Sequence, residues 1–284
     1  MNARRFKALL TAAACLACGA AGAHAAFPSL DKLGENLKKV EDTSKKVGKV
    51  AKGATGLSLE EEIAIGDAVS LEIVAKFGGL WRDEAATRRV NVLGRALGRY
   101  AHRQDLVWRF GILDSDTVNA FSAPGGRVFI TRGLYQLAET DDELAGVLAH
   151  EIIHIDRRHA LRIIARGELL TGVSELVADN NADYAQYEAL IGDMAKQILE
   201  TGYDPASEFE ADKRGRALAA VTGFAPGGLR AALEDLKGSG KAKEEKTFDT
   251  HPPLDERLKR LPKDPRPDVA AAAAAAPAAP AAAK

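Results

Sequence analysis

The sequence predicts a mainly helical α+β domain with a small β-sheet, and three observations carry that expectation. Apolar residues recur at helical spacing over most of the stretch 57–265. Only two short runs, 106–113 and 127–131, have the β-branched and aromatic content of strands. The composition, 46% hydrophobic and 28% charged over 284 residues, suits one good-sized core with a small appendage.

The first 25 residues read as a secretory signal. Arg4, Arg5 and Lys7 precede an apolar, small-residue run, and Ala23-His24-Ala25 offers small residues for a cut after Ala25. A lipoprotein reading of Cys15 is weaker, since Ala12-Ala13-Ala14 lacks the usual leucine. Cleavage would remove three positive charges and move the net charge from −1 to −4, which does not suggest nucleic acid as a partner. Both cysteines, Cys15 and Cys18, lie in this segment, so a processed chain has neither a disulfide nor a thiolate metal ligand. The expected location is the periplasm.

Residues 26–56 form a basic, helix-prone arm with an apolar stripe of Leu30, Leu33, Leu37, Val40 and Val47. Its narrowness favours packing on its own domain over peripheral membrane contact or partner binding. Helical spacing then covers 59–76 and 84–103, followed by the strand at 106–113. Ser122 to Gly126 is a turn, 127–131 a second strand, and a helix follows from about Arg132. Thr140-Asp141-Asp142-Glu143 is a capping box that opens another helix. Residues 161–200 are mainly helical, and 160–203 is either a lid hinged at Gly167 and Gly172 or plain scaffold. Asp204-Pro205 starts the next helix and Gly223 stops it. A short helix at 226–237, a polar loop, and a last helix from Pro252-Pro253 to Leu261 complete the domain at 57–265. The Ala/Pro tail at 266–284 cannot build a core.

The capped helix carries His150-Glu151-Ile152-Ile153-His154. Residues i and i+4 share a helix face, so both imidazoles reach one metal at about 2.0–2.1 Å. Glu151, one residue on, is placed to take a proton from water as general base. Arg157 and Ala160 stand where an extended motif would need Gly and His. His159 lies about 140° round a continuous helix from His154 and reads as a surface or supporting residue. The third ligand then comes from a later helix. Glu208 and Asp212 share a face at i, i+4, and Ala211 lets two helices approach. Glu208 suits the metal, while Asp212 accepts the other ring N–H of a ligating histidine. Glu210, the competitor, points about 200° away.

Three blocks resemble the Glu-zincin metalloproteases of the HtpX, CAAX-prenyl-protease and BepA type. They are Asn119-Ala120-Phe121-Ser122-Ala123-Pro124-Gly125-Gly126 with the strand behind it; Leu144 to His154 with Arg158-His159; and Glu208 to Asp212 with the later Thr250-His251-Pro252-Pro253-Leu254-Asp255-Glu256-Arg257-Leu258. The resemblance implies a zincin-type domain whose sheet borders the cleft, with one zinc ion on His150, His154 and Glu208. It implies that Asn119, Ala120 and Phe121 line the substrate cleft, where a strand edge pairs with extended peptide. It also implies that His251 and Arg257 stabilise an oxyanion, or that His251 caps the zinc in a latent state. Ile153 is bulky where many members are small. The membrane spans and helical-repeat domain of longer members are missing. The implied enzyme is a short soluble envelope endopeptidase acting on unfolded or misfolded polypeptides. The alternative is a latent-protease chaperone for outer-membrane protein assembly.

Overall fold

A computed structural model describes residues 57–166, 191–240 and 251–267. The expected signal segment, the basic arm, the hinge glycines Gly167 and Gly172 and all but two residues of the tail lie outside the described residues.

Helix α1 (Leu59–Lys76) opens on a capping box, in which the Glu61 N–H donates to Ser58 Oγ at 3.2 Å and the Ser58 N–H to the Glu61 carboxylate at 2.6 Å. Helix α2 (Glu84–Gly98) ends five residues before the expected Arg103. The Gln104 side-chain amide explains the stop, donating to the Gly98 and Ala101 carbonyls at 3.2 and 2.5 Å.

Three strands follow: β1 (Arg109–Leu113), β2 (Ala120–Ala123) and β3 (Arg127–Thr131), in the order β1-β3-β2. β1 runs parallel to β3, from Arg109↔Arg127 to Leu113↔Thr131. It starts three residues later than expected because β3 offers only five residues to pair with. β2 runs antiparallel to β3, from Ala120↔Ile130 to Ala123↔Arg127. Gly125 and Gly126 make the turn between them at φ +74° and +94°, which glycine adopts without strain. The outer edge of β1 is partly covered, since the Trp81 N–H donates to Ile112 and the Asp114 N–H to Gly79. β2 forms the other edge.

Helices α3 (Arg132–Leu137), α4 (Asp141–Asp156) and α5 (His159–Arg166) come next, then a helical stretch at 191–196 running into a π-turn at Gln197–Thr201. Helices α6 (Pro205–Thr222), α7 (Gly228–Gly238) and α8 (Leu254–Arg260) complete the described chain.

The sheet separates two apolar cores. Phe110, Ile112, Val128 and Ile130 pack with α2, α4, α6 and α7. Leu113, Phe121, Ala123 and Phe129 pack with α1 and with Ile191, Met194, Ile198 and Leu199. α4 is buried all round from Glu143 to Ile155, and the bulky Ile153 finds its place in the first core. α6 lies against α4 through Ala211 and Gly215; a Cβ on Gly215 would stand 2.9 Å from the His150 backbone nitrogen. A buried ion pair ties α1 to the sheet, with Arg127 2.8 Å from Asp67, and a partly buried one, Arg103 3.1 Å from Glu62, ties it to the link between α2 and β1. No helix among the described residues is long and apolar enough to cross a membrane.

Candidate metal centre

Helix capping sets the registry of the site. Thr140 Oγ accepts the Glu143 N–H at 3.1 Å, and Asp141, Asp142 and Glu143 in the first turn of α4 suit the helix dipole. Asp204 caps α6 by accepting the Ser207 N–H at 3.0 Å, with Pro205 in the first turn and Gly223, at φ +103°, ending the helix. The two helices meet where α4 presents His150 and His154 and α6 presents Glu208.

The Nε2 atoms of His150 and His154 are 3.0 Å apart. Glu208 places one carboxylate oxygen 3.6 Å from His150 Nε2 and the other 3.5 Å from His154 Nε2. Ligands about 2.0–2.1 Å from a tetrahedral ion are separated by about 3.3 Å, so the three side chains have the spacing a divalent ion needs. Glu208 Oε1 is buried without a hydrogen-bond partner, the kind of orphan a cation satisfies.

The protonation pattern makes the same point. His150 Nδ1 lies 2.9 Å from Asp212 Oδ1, while its Nε2 faces His154. Burial and the Arg257 charge oppose protonation of His150, but hydrogen bonds to Asp212 and Glu208 prevail and raise it to about 9. Burial above all pushes His154 well below its ordinary range. His150 thus lies between two carboxylates, Asp212 at its Nδ1 and Glu208 near its Nε2, that favour positive charge there. Burial works against charge on Glu208, but His251, His154 and His150 hold its carboxyl well below the usual range.

Arg257 clamps Asp212 from behind, donating from Nε at 3.0 Å and Nη2 at 2.6 Å. Nη2 is also 3.4 Å from His150 Nδ1, an electrostatic contact, because that nitrogen's proton already points to Asp212. Arg257 is therefore placed behind His150 and buried. His251 sits on the other side, its Nδ1 2.6 Å from Glu208 Oε2. Its ligand atom, with those of His150 and Glu208, falls within a 4.8 Å cluster. Glu151 is 3% exposed; burial pushes its carboxyl up, and the charges on His150 and His251 pull it back.

Asn119 leads into β2, with its Oδ1 accepting the Ala120 N–H at 2.8 Å. Ala120 pairs with β3, and the Phe121 ring packs into the second core, 4.8 Å from Phe77. Their side chains are thus buried in the fold, as is every residue of β2.

Two residues at the site carry weak sequence signals. Tyr203 stacks on His154 with ring centroids 4.3 Å apart and planes 18° from parallel. It sits in the link before α6, where no periodicity marks it. His159 Nδ1 lies 2.8 Å from His154 Nδ1. The expectation of a 140° offset assumed a continuous helix. The chain instead breaks at Arg158, whose φ of +55° turns it back so that His159 opens α5 against His154.

The family model described as Peptidase family M48 matches residues 83–264. A beta-barrel assembly-enhancing protease of Yersinia pestis is 29% identical over 79% of this chain and 47% of its own length. The metalloprotease YcaL of Escherichia coli is 25% identical over 61% of this chain and 68% of its own. A protease HtpX homolog of Salinibacter ruber is 26% identical over 76% and 90%. The chain spans about half the length of the beta-barrel assembly-enhancing proteases it matches. Because the match encloses α4, α6 and α8 together, the chain belongs to peptidase family M48, and its mainly helical domain with a three-stranded sheet is a metalloendopeptidase fold of the zincin type.

Proposed function

We propose that this protein is a zinc-dependent endopeptidase of the bacterial envelope that cleaves unfolded or misfolded polypeptides. The observation that carries it is the cluster of His150, His154 and Glu208, with the two Nε2 atoms 3.0 Å apart and the two Glu208 carboxylate oxygens 3.6 and 3.5 Å from them, beside a buried Glu151. These three side chains would hold the zinc. Bound there, zinc would supply Lewis acidity toward the peptide carbonyl and the attacking water.

Glu151 takes the proton of the attacking water on its carboxylate and hands it to the leaving amine. A carboxyl raised by burial suits both halves of that transfer. Asp212, held in place by Arg257, orients His150 through its Nδ1–H. Arg257 then serves the site through Asp212. The β2 main chain, entered through Asn119, Ala120 and Phe121, pairs with an extended peptide and reads little of its sequence. A signal segment ending at Ala25 delivers the chain to the periplasm. Glu151→Gln should retain zinc and lose cleavage of casein, and a chelator should silence the wild type. Undiminished cleavage by Glu151→Gln would remove Glu151 from its role.

A latent-protease chaperone that assists β-barrel assembly is the second reading. Burial of His150, Glu151, His154 and Glu208, none more than 3% exposed, together with His251 against Glu208, favours it. Substrate that co-purifies with wild type and Glu151→Gln alike, without turnover by either, would support this reading over the first.

A further inference from the structure

Each histidine of the pair has a distinct partner behind it. His150 has Asp212, a carboxylate locked by Arg257. His154 has His159, ring nitrogen to ring nitrogen at 2.8 Å, with the planes at 76°. The Nε2 of His154 is turned to His150 and Glu208, so with an ion at that nitrogen the ring would carry its proton on Nδ1. A buried N–H left without an acceptor costs about 1–3 kcal/mol. The lone pair of His159 Nδ1 accepts it. His159 must then carry its own proton on Nε2, which faces Glu210 Oε2 at 3.5 Å, a long contact. Glu210 is kept anionic in its turn by Arg157 at 2.8 Å and Arg214 at 2.7 Å.

The backbone supports a purpose for this contact. Residues five apart on an unbroken helix diverge, and a non-glycine residue in the left-handed region costs about 1–3 kcal/mol. Arg158 adopts that conformation at φ +55°, and its carbonyl accepts the Arg162 N–H at 2.9 Å to start α5. The result returns His159, 1% exposed, to the far side of His154.

Resting on the metal reading above, we propose that His159, backed by Glu210, is the positioning residue of His154. It fixes the Nδ1–H tautomer and ring orientation, and so presents Nε2 to the ion. Its chemistry differs from that behind His150, being a neutral acceptor in place of a clamped carboxylate.

The test uses the full chain with three variants. His159→Phe keeps a ring and removes the acceptor. His159→Asn restores an oxygen near the position of Nδ1. Glu210→Gln weakens the far end. Zinc affinity, read by competition with a chromogenic chelator, should fall about 10–100-fold in His159→Phe, recover most of the way in His159→Asn and fall less in Glu210→Gln. Affinity unchanged in His159→Phe, or as weak in His159→Asn, overturns the proposal. Nitrogen-15 spectra of the zinc-free wild type should show His154 protonated on Nδ1, and an Nε2–H tautomer also overturns it. A wild type that takes up no zinc sinks the metal reading instead, and the tautomer alone then decides the role of His159.

Discussion

Asp212 and His159 set the sharpest expectations at the residue scale. The Asp212 carboxyl is buried, yet Arg257 and His150 hold it below its ordinary range. Asp212→Asn leaves Arg257 as an uncompensated buried charge, and breaking such a pair costs about 3–5 kcal/mol. Urea unfolding should read that loss; a loss under about 1 kcal/mol would mean the pair contributes little. A pH effect comes from the other histidines. Burial holds His154 well below 6.5 and, with the Arg162 charge, lowers His159 to about 4. In the zinc-free protein both are neutral when folded and take up a proton on unfolding below about pH 6.5. Their contribution is complete above that pH and is lost as pH falls through the folded values, at up to about 1.4 kcal/mol per pH unit each. Between pH 6.5 and 5, below the window in which the raised His150 loses its proton, the wild-type unfolding midpoint should fall, and His159→Asn should shrink that fall. Glu208 and Asp212 were legible in sequence because i, i+4 on a helix fixes their common face. His159 was not, because its position depends on one left-handed residue that no periodicity announces.

The junction of α4 and α6 governs the next scale. Gly215→Ala would put a Cβ about 2.9–3.0 Å from His150 backbone atoms, so the helices must part. Overpacking of this kind costs about 1–3 kcal/mol, and a parted junction also moves Glu208 off the histidine pair. Zinc affinity should therefore fall more than stability does; equal affinity would show that the helices tolerate the strain. The capped starts of α4 and α6 were readable because Thr140, Glu143, Asp204 and Pro205 have side-chain or ring chemistry fitted to helix starts. β2 was not. Ala120-Phe121-Ser122-Ala123 is short, small and buried on every residue, so it shows no alternation; β3 gives it its form. Gly215, a glycine inside a helical run, was the available sign of close approach.

Over the whole molecule, the mainly helical class with a small sheet followed from the balance of helical and strand patterns. The division into two cores did not, because sequence alone does not say which strand face meets which helix. The second core brings the 191–203 segment against β2, and Tyr203 onto His154. Together with His251 on Glu208, this leaves the reactive groups covered. If His251 acts as a cap, His251→Ala should cleave casein several-fold faster at equal zinc content. A loss of orders of magnitude with zinc retained would instead make His251 a stabiliser of the reaction.

His154 and Glu208 are separated by more than fifty positions, and Arg257 follows later still. A ribosome that has released the chain only a little past its midpoint has therefore released both imidazoles and neither Glu208 nor Arg257. The cluster around the histidine pair is therefore complete only once α8, the last of the described helices, has been made.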